Sequence, residues 1–416
     1  MIPVLRGAQA LEWVSGLAGS SEDPIVVSRV SEILEKVRQQ GDEALSELAA
    51  RFGDPAPRLL SSEERQAGAA ALPESQREVL QRAAANIEKF HRAVAASLKP
   101  VQVENPEYSC GMRLQPVNRV ACYAPGGRHP LPSTALMTGL AARAAGVPEI
   151  VLVCPSPHPA VLYAADLIGA QQLYQMGGSQ AVAALAYGTA SIGRVDMLVG
   201  PGNAYVAEAK RQLHGVIGID MLAGPSEVAI VADPGADPVW LALDLLAQAE
   251  HDPDARCCLL SWDEALIQEV ARQVQLQLAQ GQYPGFLRQS LDCSALLLLR
   301  DLDQCITAVN QLAPEHLHLA VAEPLQLQDR VRHYGGLFLG YHSTVPYGDY
   351  LAGPNHTLPT RTSARFSGGL SPLTFLRPQC WLHVPGPAPQ LSRDTVAFAE
   401  LEGLEGHAAA ARARLG

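Results

Sequence analysis

Aromatic residues are scarce in this sequence: Phe, Tyr and Trp together make up only 5% of 416 residues. The interior must therefore be filled by Ala, Leu and Val. Apolar residues of all kinds reach 48%, enough for about two or three domains with large cores. Positive charge is also in short supply, with 31 Lys and Arg against 42 Asp and Glu and a net charge of -11. That balance argues against nucleic-acid binding or a polybasic membrane surface. No uncharged stretch is long enough to span a bilayer. The opening "MIPVLRGAQALEWVSGLAGS" lacks the basic start and unbroken apolar core of a signal peptide. A cytoplasmic enzyme acting on small molecules is the expectation. Cysteine is thin as well: the residues at 110, 122, 154, 257, 258, 293, 305 and 380 form no C-x-x-C pair. They read as reduced, mostly buried thiols, not as a disulfide framework. Finally, no G-x-G-x-x-G with a downstream acid occurs in the strand–helix context that dinucleotide fingerprints require.

What is present is a change of texture along the chain. Residues 1 to about 100 read as helical. In "VVSRVSEILEKVRQQGDEALSELAARF", Val30, Ile33, Leu34 and Val37 recur at helical spacing, and Gly41 separates two helices. From about 118, β-rich runs alternate with Ala-rich helical runs: "RVACYAP", "EIVLVCPS", "QLYQMGG" and "VDMLVGPGN" are strands with helices between them. A second series follows with "SEVAIVAD", "ARCCLLSW", "SALLLLRD", "HLHLAV" and "GGLFLGY" as strands. Such alternation implies crossover units on parallel sheets. The fold class is therefore α/β, with two doubly wound, Rossmann-like parallel-sheet domains and N-terminal helices. After 343 the chain becomes loop-rich, "PQCWLHVPGPAPQ" reads as a linker, and residues 392 to 415 read as one terminal helix. That helix has little independent reason to be stable and is expected to dock on a second subunit. The expected division is 1–24 as an N-terminal helical segment, 25–122 with 226–375 as a larger α/β domain, 123–225 as a smaller one, and 376–416 as the tail.

Several constellations could carry chemistry. In "DPVWLALDLLAQAEHDPDA", Asp237 can cap the helix, Pro238 suits its first turn, and Gln248 and His251 fall on one face at its end. The loop "VPYGDYLAGPNHTLPT" supplies Asp349 and His356, with Gly348 and Gly353 available for unusual backbone angles. The tail "ELEGLEGHAAAARARL" supplies Glu402 and His407, about 140° apart on one ideal helix. Each has a bland reading as a solvated stripe or ordinary loop. Taken together, Gln248, His251, Asp349 and His407 form a mixed N/O donor set that suits zinc or a similar divalent ion. The Gly-rich turns "YAPGGRHP", "MGGSQA" and "VGPGNAYV" each close a strand, at the ends where open sheets bind ligands.

With these residues in view, the chain resembles the histidinol dehydrogenase family from about residue 25 to 410. The resemblance rests on "YAPGG", "GGSQA", "VGPGNAYV", "DMLAGPSEV", "QAEHDPDA", "LAPEHL", "GDYLAGPNHTLPT" and "EGLEGH", in that order. It implies zinc ligands at Gln248, His251, Asp349 and His407, which would also anchor the substrate, and a catalytic pair at Glu315 and His316. It places NAD near Tyr123, Gln180 and Asn203. It assigns substrate contacts to Ser226, His356 and Glu402, with His316 also facing the substrate. It further implies an intertwined homodimer whose C-terminal segment completes the partner's site.

Oxidising a primary alcohol to an acid takes two hydride transfers with a water attack between them. A neutral histidine can take the alcohol proton at cellular pH, and His316 is the candidate. Glu315 can then draw a proton from water. Some segments depart from the family's usual pattern. "STVPYGD" and "RTSARFSGG" look like those of relatives that oxidise other small polar alcohols, including sulfonated diols; Arg361 replaces a small residue, and Arg128–His129 is unusual in the cofactor turn. An arginine near the pocket would favour an anionic substrate group. Cys122, Cys257 and Cys258 are the candidates for an alternative thiol route, but they lie in apolar strand contexts that suit buried structural thiols. A non-catalytic zinc protein of the same fold would be marked by loss of Glu315, His316 or a metal ligand, and none is missing.

Overall fold

A computed structural model describes residues 2–16, 23–126 and 130–415. Arg128 and His129 lie outside the described residues. Two six-stranded sheets dominate, with a small three-stranded sheet beside them. The first large sheet runs, in spatial order, Val4–Arg6, Ala295–Leu298, Arg256–Ser261, Glu227–Ala232, His316–Ala320, Gly336–Leu339, and every neighbouring pair is parallel. The second runs Arg58–Leu59, Gln172–Gln175, Glu149–Val153, Arg119–Tyr123, Met197–Val199, Gly218–Ile219, parallel except at Arg58–Leu59. The inner strands of both read as near-continuous apolar runs because helices cover both faces. Strand Arg256–Ser261, for instance, is buried at every position after its first.

The expected pair of doubly wound sheets is therefore present. In the second sheet the chain order reverses direction between Arg119–Tyr123 and Met197–Val199, and in the first between Glu227–Ala232 and His316–Ala320. Such switch points open a crevice at the sheet edge. The helices Pro24–Gln40 and Asp42–Phe52 bury Val30, Ile33, Leu34, Val37, Leu45 and Leu48 in one core with Ala121, Val151 and Leu198. Helix Glu74–Ser97 buries Ala83, Ala84 and Ile87 against the other face of the same sheet. As expected, Gly41 separates the first two helices, at φ 56°.

Four local expectations are corrected. The N-terminus is not helical throughout, since Val4–Arg6 pairs with Leu296–Leu298 as an edge strand before helix Gly7–Gly16 begins. "PQCWLHV" is no linker. Leu376–His383 is an eight-residue strand, antiparallel to Ser109–Pro116, which also pairs with Val101–Glu104. The loop before the "GPNHT" turn contains a short helix, Val345–Tyr350, with a proline at its start. The tail is two helices, Pro389–Leu401 and Glu405–Arg412, broken at Gly403 with φ 72°. All eight cysteines are free; Cys122, Cys154, Cys257, Cys258 and Cys305 are buried, while Cys293 and Cys380 are exposed. Among the described residues, no helix is long and apolar enough to cross a membrane.

Candidate active site

The pair Glu315–His316 sits where a strand begins. Helix Leu302–Leu312 ends at Ala313, which caps it in the left-handed region at φ 46°. An alanine there is strained. Pro314 then turns the chain into strand His316–Ala320, a central strand of the first sheet. Neighbouring strands grip the pair from both sides. The Glu315 carboxylate accepts a hydrogen bond from the Glu227 N–H at 2.8 Å, and the Glu315 carbonyl accepts from Gly336 N–H, also at 2.8 Å. His316 Nδ1 donates to the Glu227 carbonyl at 3.0 Å. Its other nitrogen, Nε2, is buried, has no hydrogen-bond partner, and lies 3.6 Å from an Asp349 oxygen. An unpaired buried polar atom is costly; His316 Nε2 is one of several among the described residues, and the one that lies at the Glu315–His316 pair beside Asp349.

Charge at this point is concentrated. Burial alone would lower the His316 pKa, but Glu315 and then Asp349 outweigh it and raise it to about 10. Burial works to raise Asp349, yet it is held below the ordinary carboxylate range by its contact with His316 and by the fields of His316, His356 and His251. Burial lowers His356; its Nδ1 donates to the Asp349 carbonyl at 2.9 Å. Asp349, His251, His316 and His356 thus act on one another, while Gln248 is buried at the end of helix Pro238–Ala249. That helix stops short of His251, which is exposed just past its cap. Ser226 immediately precedes strand Glu227–Ala232, two residues before Val228, the register partner of His316. Gly353 has φ 110°, as a turn needing glycine would. Gly348 instead sits within helix Val345–Tyr350 and shows no positive φ.

Below this layer lies a second one. Asp244, one helical turn before Gln248, accepts from the Thr344 hydroxyl at 2.6 Å. Thr344 precedes the helix that carries Asp349. Buried His318, two residues along from His316, has Nδ1 3.6 Å from Asp244, and its Nε2 donates to the Gly340 carbonyl at 2.9 Å. Asp244 therefore ties the element bearing Gln248 to the one bearing Asp349, and His318 of the His316 strand lies beside Asp244 without a hydrogen bond to it.

The cofactor candidates occupy the other sheet. Tyr123 ends strand Arg119–Tyr123, and its hydroxyl accepts from Gly178 N–H at 3.1 Å. Gln180 is buried, with Nε2 3.4 Å from Asp54 Oδ2. Asn203 caps helix Ala204–Leu213 by accepting from Tyr205 and Val206 N–H, both at 3.1 Å. All three lie at or after the carboxyl ends of strands of this sheet, Tyr123 and Asn203 at the two strands that flank the switch point. Gly200, at φ 110°, packs so closely on Tyr123 that a Cβ would lie 2.3 Å from the Tyr123 carbonyl oxygen. Lys210 and Asp220 form a buried ion pair that grips Gly200 from both sides, Lys210 donating to its carbonyl at 2.9 Å and Asp220 accepting from its N–H at 2.7 Å.

Glu402 and His407 are exposed on the tail. Glu402 caps the first tail helix and His407 begins the second, so the single-helix geometry expected for them does not hold. Among the described residues, no hydrogen bond or ion pair links either to the site, and no group of three or more His, Cys, Asp or Glu is arranged to hold a metal ion. Arg361 is exposed, at φ 52°, with its side chain lying over Gly224 and its N–H donating to Glu227 at 3.2 Å. The thiol candidates are unfit as nucleophiles: burial pushes Cys122 and Cys257 up to about 12, and Cys258 further.

Sequence reasoning missed Glu227. Its backbone holds both members of the pair, and burial, with Glu315 nearby, raises its carboxyl to about 7. The signal was its position directly after Ser226 in "AGPSEV". Asp244 shares the Gln248 face by helical spacing, but Thr344 and His318 left no comparable mark, because only the fold brings them to it.

Comparison with known proteins identifies the family. The family model described as Histidinol dehydrogenase matches residues 18–415. A histidinol dehydrogenase of Syntrophotalea carbinolica is 43% identical over 400 residues, covering 94% of this chain and 93% of its own. One from Thermus thermophilus is 44% identical over 394 residues, covering 94% and 95%. The crystal structure of histidinol dehydrogenase from Elizabethkingia anophelis superposes with a TM-score of 0.92 at 34% identity, covering 100% of this chain and 98% of that one.

Proposed function

The chain belongs to the histidinol dehydrogenase family, and on that premise we propose that it oxidises histidinol to histidine, with zinc and NAD. The carrying observation is the buried Glu315–His316 pair, with an unpartnered His316 Nε2 aimed toward Asp349. The orphaned nitrogen, the buried Gln248 and the Asp349 carboxylate held below its usual range suit a cation and a polar substrate at this point. Gln248, His251 and Asp349 would hold zinc, with His407 of a second subunit completing the set. That division is compatible with there being, among the described residues, no group of three or more His, Cys, Asp or Glu arranged to hold a metal ion. When bound, zinc would anchor the substrate's nitrogens, and two NAD molecules in succession would each accept one hydride.

The protein's own groups do the rest. The Glu227 carbonyl takes the His316 Nδ1 proton as a hydrogen bond, which leaves Nε2 as the proton acceptor. Engaging Asp349 with a cation relieves its pull on a proton at His316. His316 then removes the hydroxyl proton as the first hydride leaves, giving the aldehyde. Glu315 takes a proton from water as its oxygen adds to that carbon; loss of a second hydride to a second NAD gives the carboxylic acid, whose remaining proton is released to solvent to leave the carboxylate. His356 and Ser226 would orient the substrate, joined by Glu402 of the second subunit. Tyr123, Gln180 and Asn203 would line the cofactor site. The test is NADH formation from histidinol, and separately from a sulfonated diol, with and without chelator. Zinc-dependent turnover of histidinol is expected; inertness toward histidinol beside turnover of the diol would overturn the substrate.

A further inference from the structure

Asn355 stands immediately before His356 and is buried. Its side chain joins three elements. Oδ1 accepts from Thr357 N–H at 2.9 Å. Nδ2 donates to the Met137 carbonyl at 2.8 Å, and to His91 Nε2 at 3.3 Å. These partners fix the amide's orientation, because turning it over would set N–H against N–H and oxygen against oxygen. The amide in turn fixes His91. Nε2 must accept, so the ring is neutral with its proton on Nδ1. Complete burial agrees, pushing the His91 pKa down to about 4.

The three elements belong to different parts of the molecule. Met137 is in helix Pro132–Ala144, which connects strand Arg119–Tyr123 to strand Glu149–Val153 of the cofactor-side sheet. His91 is in helix Glu74–Ser97, which packs on the same sheet. Asn355 belongs to the loop that carries Asp349 and His356. A second tie reinforces the junction. Asn86 Nδ2, on the His91 helix, donates to the Leu351 carbonyl at 2.9 Å, and a Cβ on Gly353 would lie 2.9 Å from the Asn86 carbonyl oxygen.

We propose that Asn355 is a positioning residue that locks the loop bearing Asp349 and His356 to the cofactor-side helix Pro132–Ala144, and so sets the distance over which hydride must pass. This rests on the reaction assigned above. Each half of the site would keep its own ligand contacts without the lock. Binding should therefore persist while alignment is lost, and a displacement near 1 Å costs on the order of 100-fold in rate.

The test uses full-length protein with zinc and NAD, comparing wild type with Asn355→Asp, Asn355→Ala, His91→Gln and His91→Leu. Asn355→Asp keeps the shape and the acceptor for Thr357 but loses both donated bonds. We expect kcat for both Asn355 variants to fall roughly 100-fold with little change in KM for NAD or histidinol. His91→Gln can still accept from Asn355 and should retain most of the rate; His91→Leu should not. Amide hydrogen exchange adds a readout independent of turnover: peptides spanning 345–360 and 132–144 should lose protection together in Asn355→Asp. A thermal midpoint that falls while kcat of the folded protein stays at the wild-type value would overturn the proposal, as would unchanged exchange in both segments. An inert wild type would instead refute the assigned reaction, and the exchange result would still decide the lock.

Discussion

Glu315→Gln separates the two halves of the proposed oxidation. Glutamine keeps an oxygen where the carboxylate accepts the Glu227 N–H at 2.8 Å, so the strand entrance should fold as before. What disappears is the capacity to hold a proton taken from water. General-base assistance of that kind is worth roughly 10²–10⁴ in rate, or about 3–5 kcal/mol of barrier. The alcohol step, which uses His316, should be affected far less. In a single turnover with excess NAD, wild type should form two NADH per histidinol at similar rates. The variant should form the first quickly and the second on the order of 100-fold or more slowly. Aldehyde should accumulate in between and be captured by a carbonyl reagent such as hydroxylamine. Stopped-flow absorbance at the NADH band, followed by analysis of the quenched mixture, measures both. Equal slowing of the two phases, or none, would refute the assignment of Glu315 to the water step.

Lys210→Met leaves Asp220 charged in a site where the two side chains are 3% and 0% exposed; a loss of roughly 3–5 kcal/mol in stability is expected, with weakened NAD binding because Gly200 loses its grip, measured by denaturant unfolding and calorimetric titration. The Glu227 carboxyl is raised to about 7 from an ordinary 4.5, so between those values the folded protein holds a proton that the unfolded chain has released. Wild-type stability should therefore fall as pH rises through that window. Glu227→Gln should flatten this dependence, becoming relatively more stable toward pH 8 in urea titrations at several pH values. Chelation should abolish turnover and zinc should restore it. Glu315→Gln and His407→Ala subunits, each slow alone in forming the second NADH, should regain part of that rate when unfolded and refolded together, since mixed dimers contain one intact site; no recovery would place His407 elsewhere.

The central strands were legible because their chemistry is local. Runs such as "EIVLV" and "EVAIVA" are bounded by turn residues and have no polar face, and they appear as Glu149–Val153 and Glu227–Ala232. Leu376–His383 escaped notice because Pro378 interrupts it and most of its residues remain exposed, so its pattern is that of a linker. The three-residue strand Val4–Arg6 is too short for any periodicity to show; its partner lies some 290 residues away, at Leu296–Leu298. The same division governs the site. Glu315 and His316 announce themselves as neighbours in the chain, and the Gly-rich turns lie at strand ends where ligands bind. Glu227 and Asn355 acquire meaning only from what folding brings against them.

The edge strand Val4–Arg6 has a bearing on how the protein is made. Synthesis proceeds from the N-terminus, so the second sheet, whose strands lie between residues 58 and 219, can assemble while later segments are still on the ribosome. The first sheet cannot. Its opening strand must wait, unpaired, until Ala295–Leu298 has emerged. Contacts of such long sequence separation form slowly. The waiting strand also leaves Ala295–Leu298 with a bare edge in any late intermediate, a surface to which another nascent chain could add. Removing residues 2–6 should therefore impair recovery of soluble protein during expression more than it impairs catalysis by the molecules that do mature.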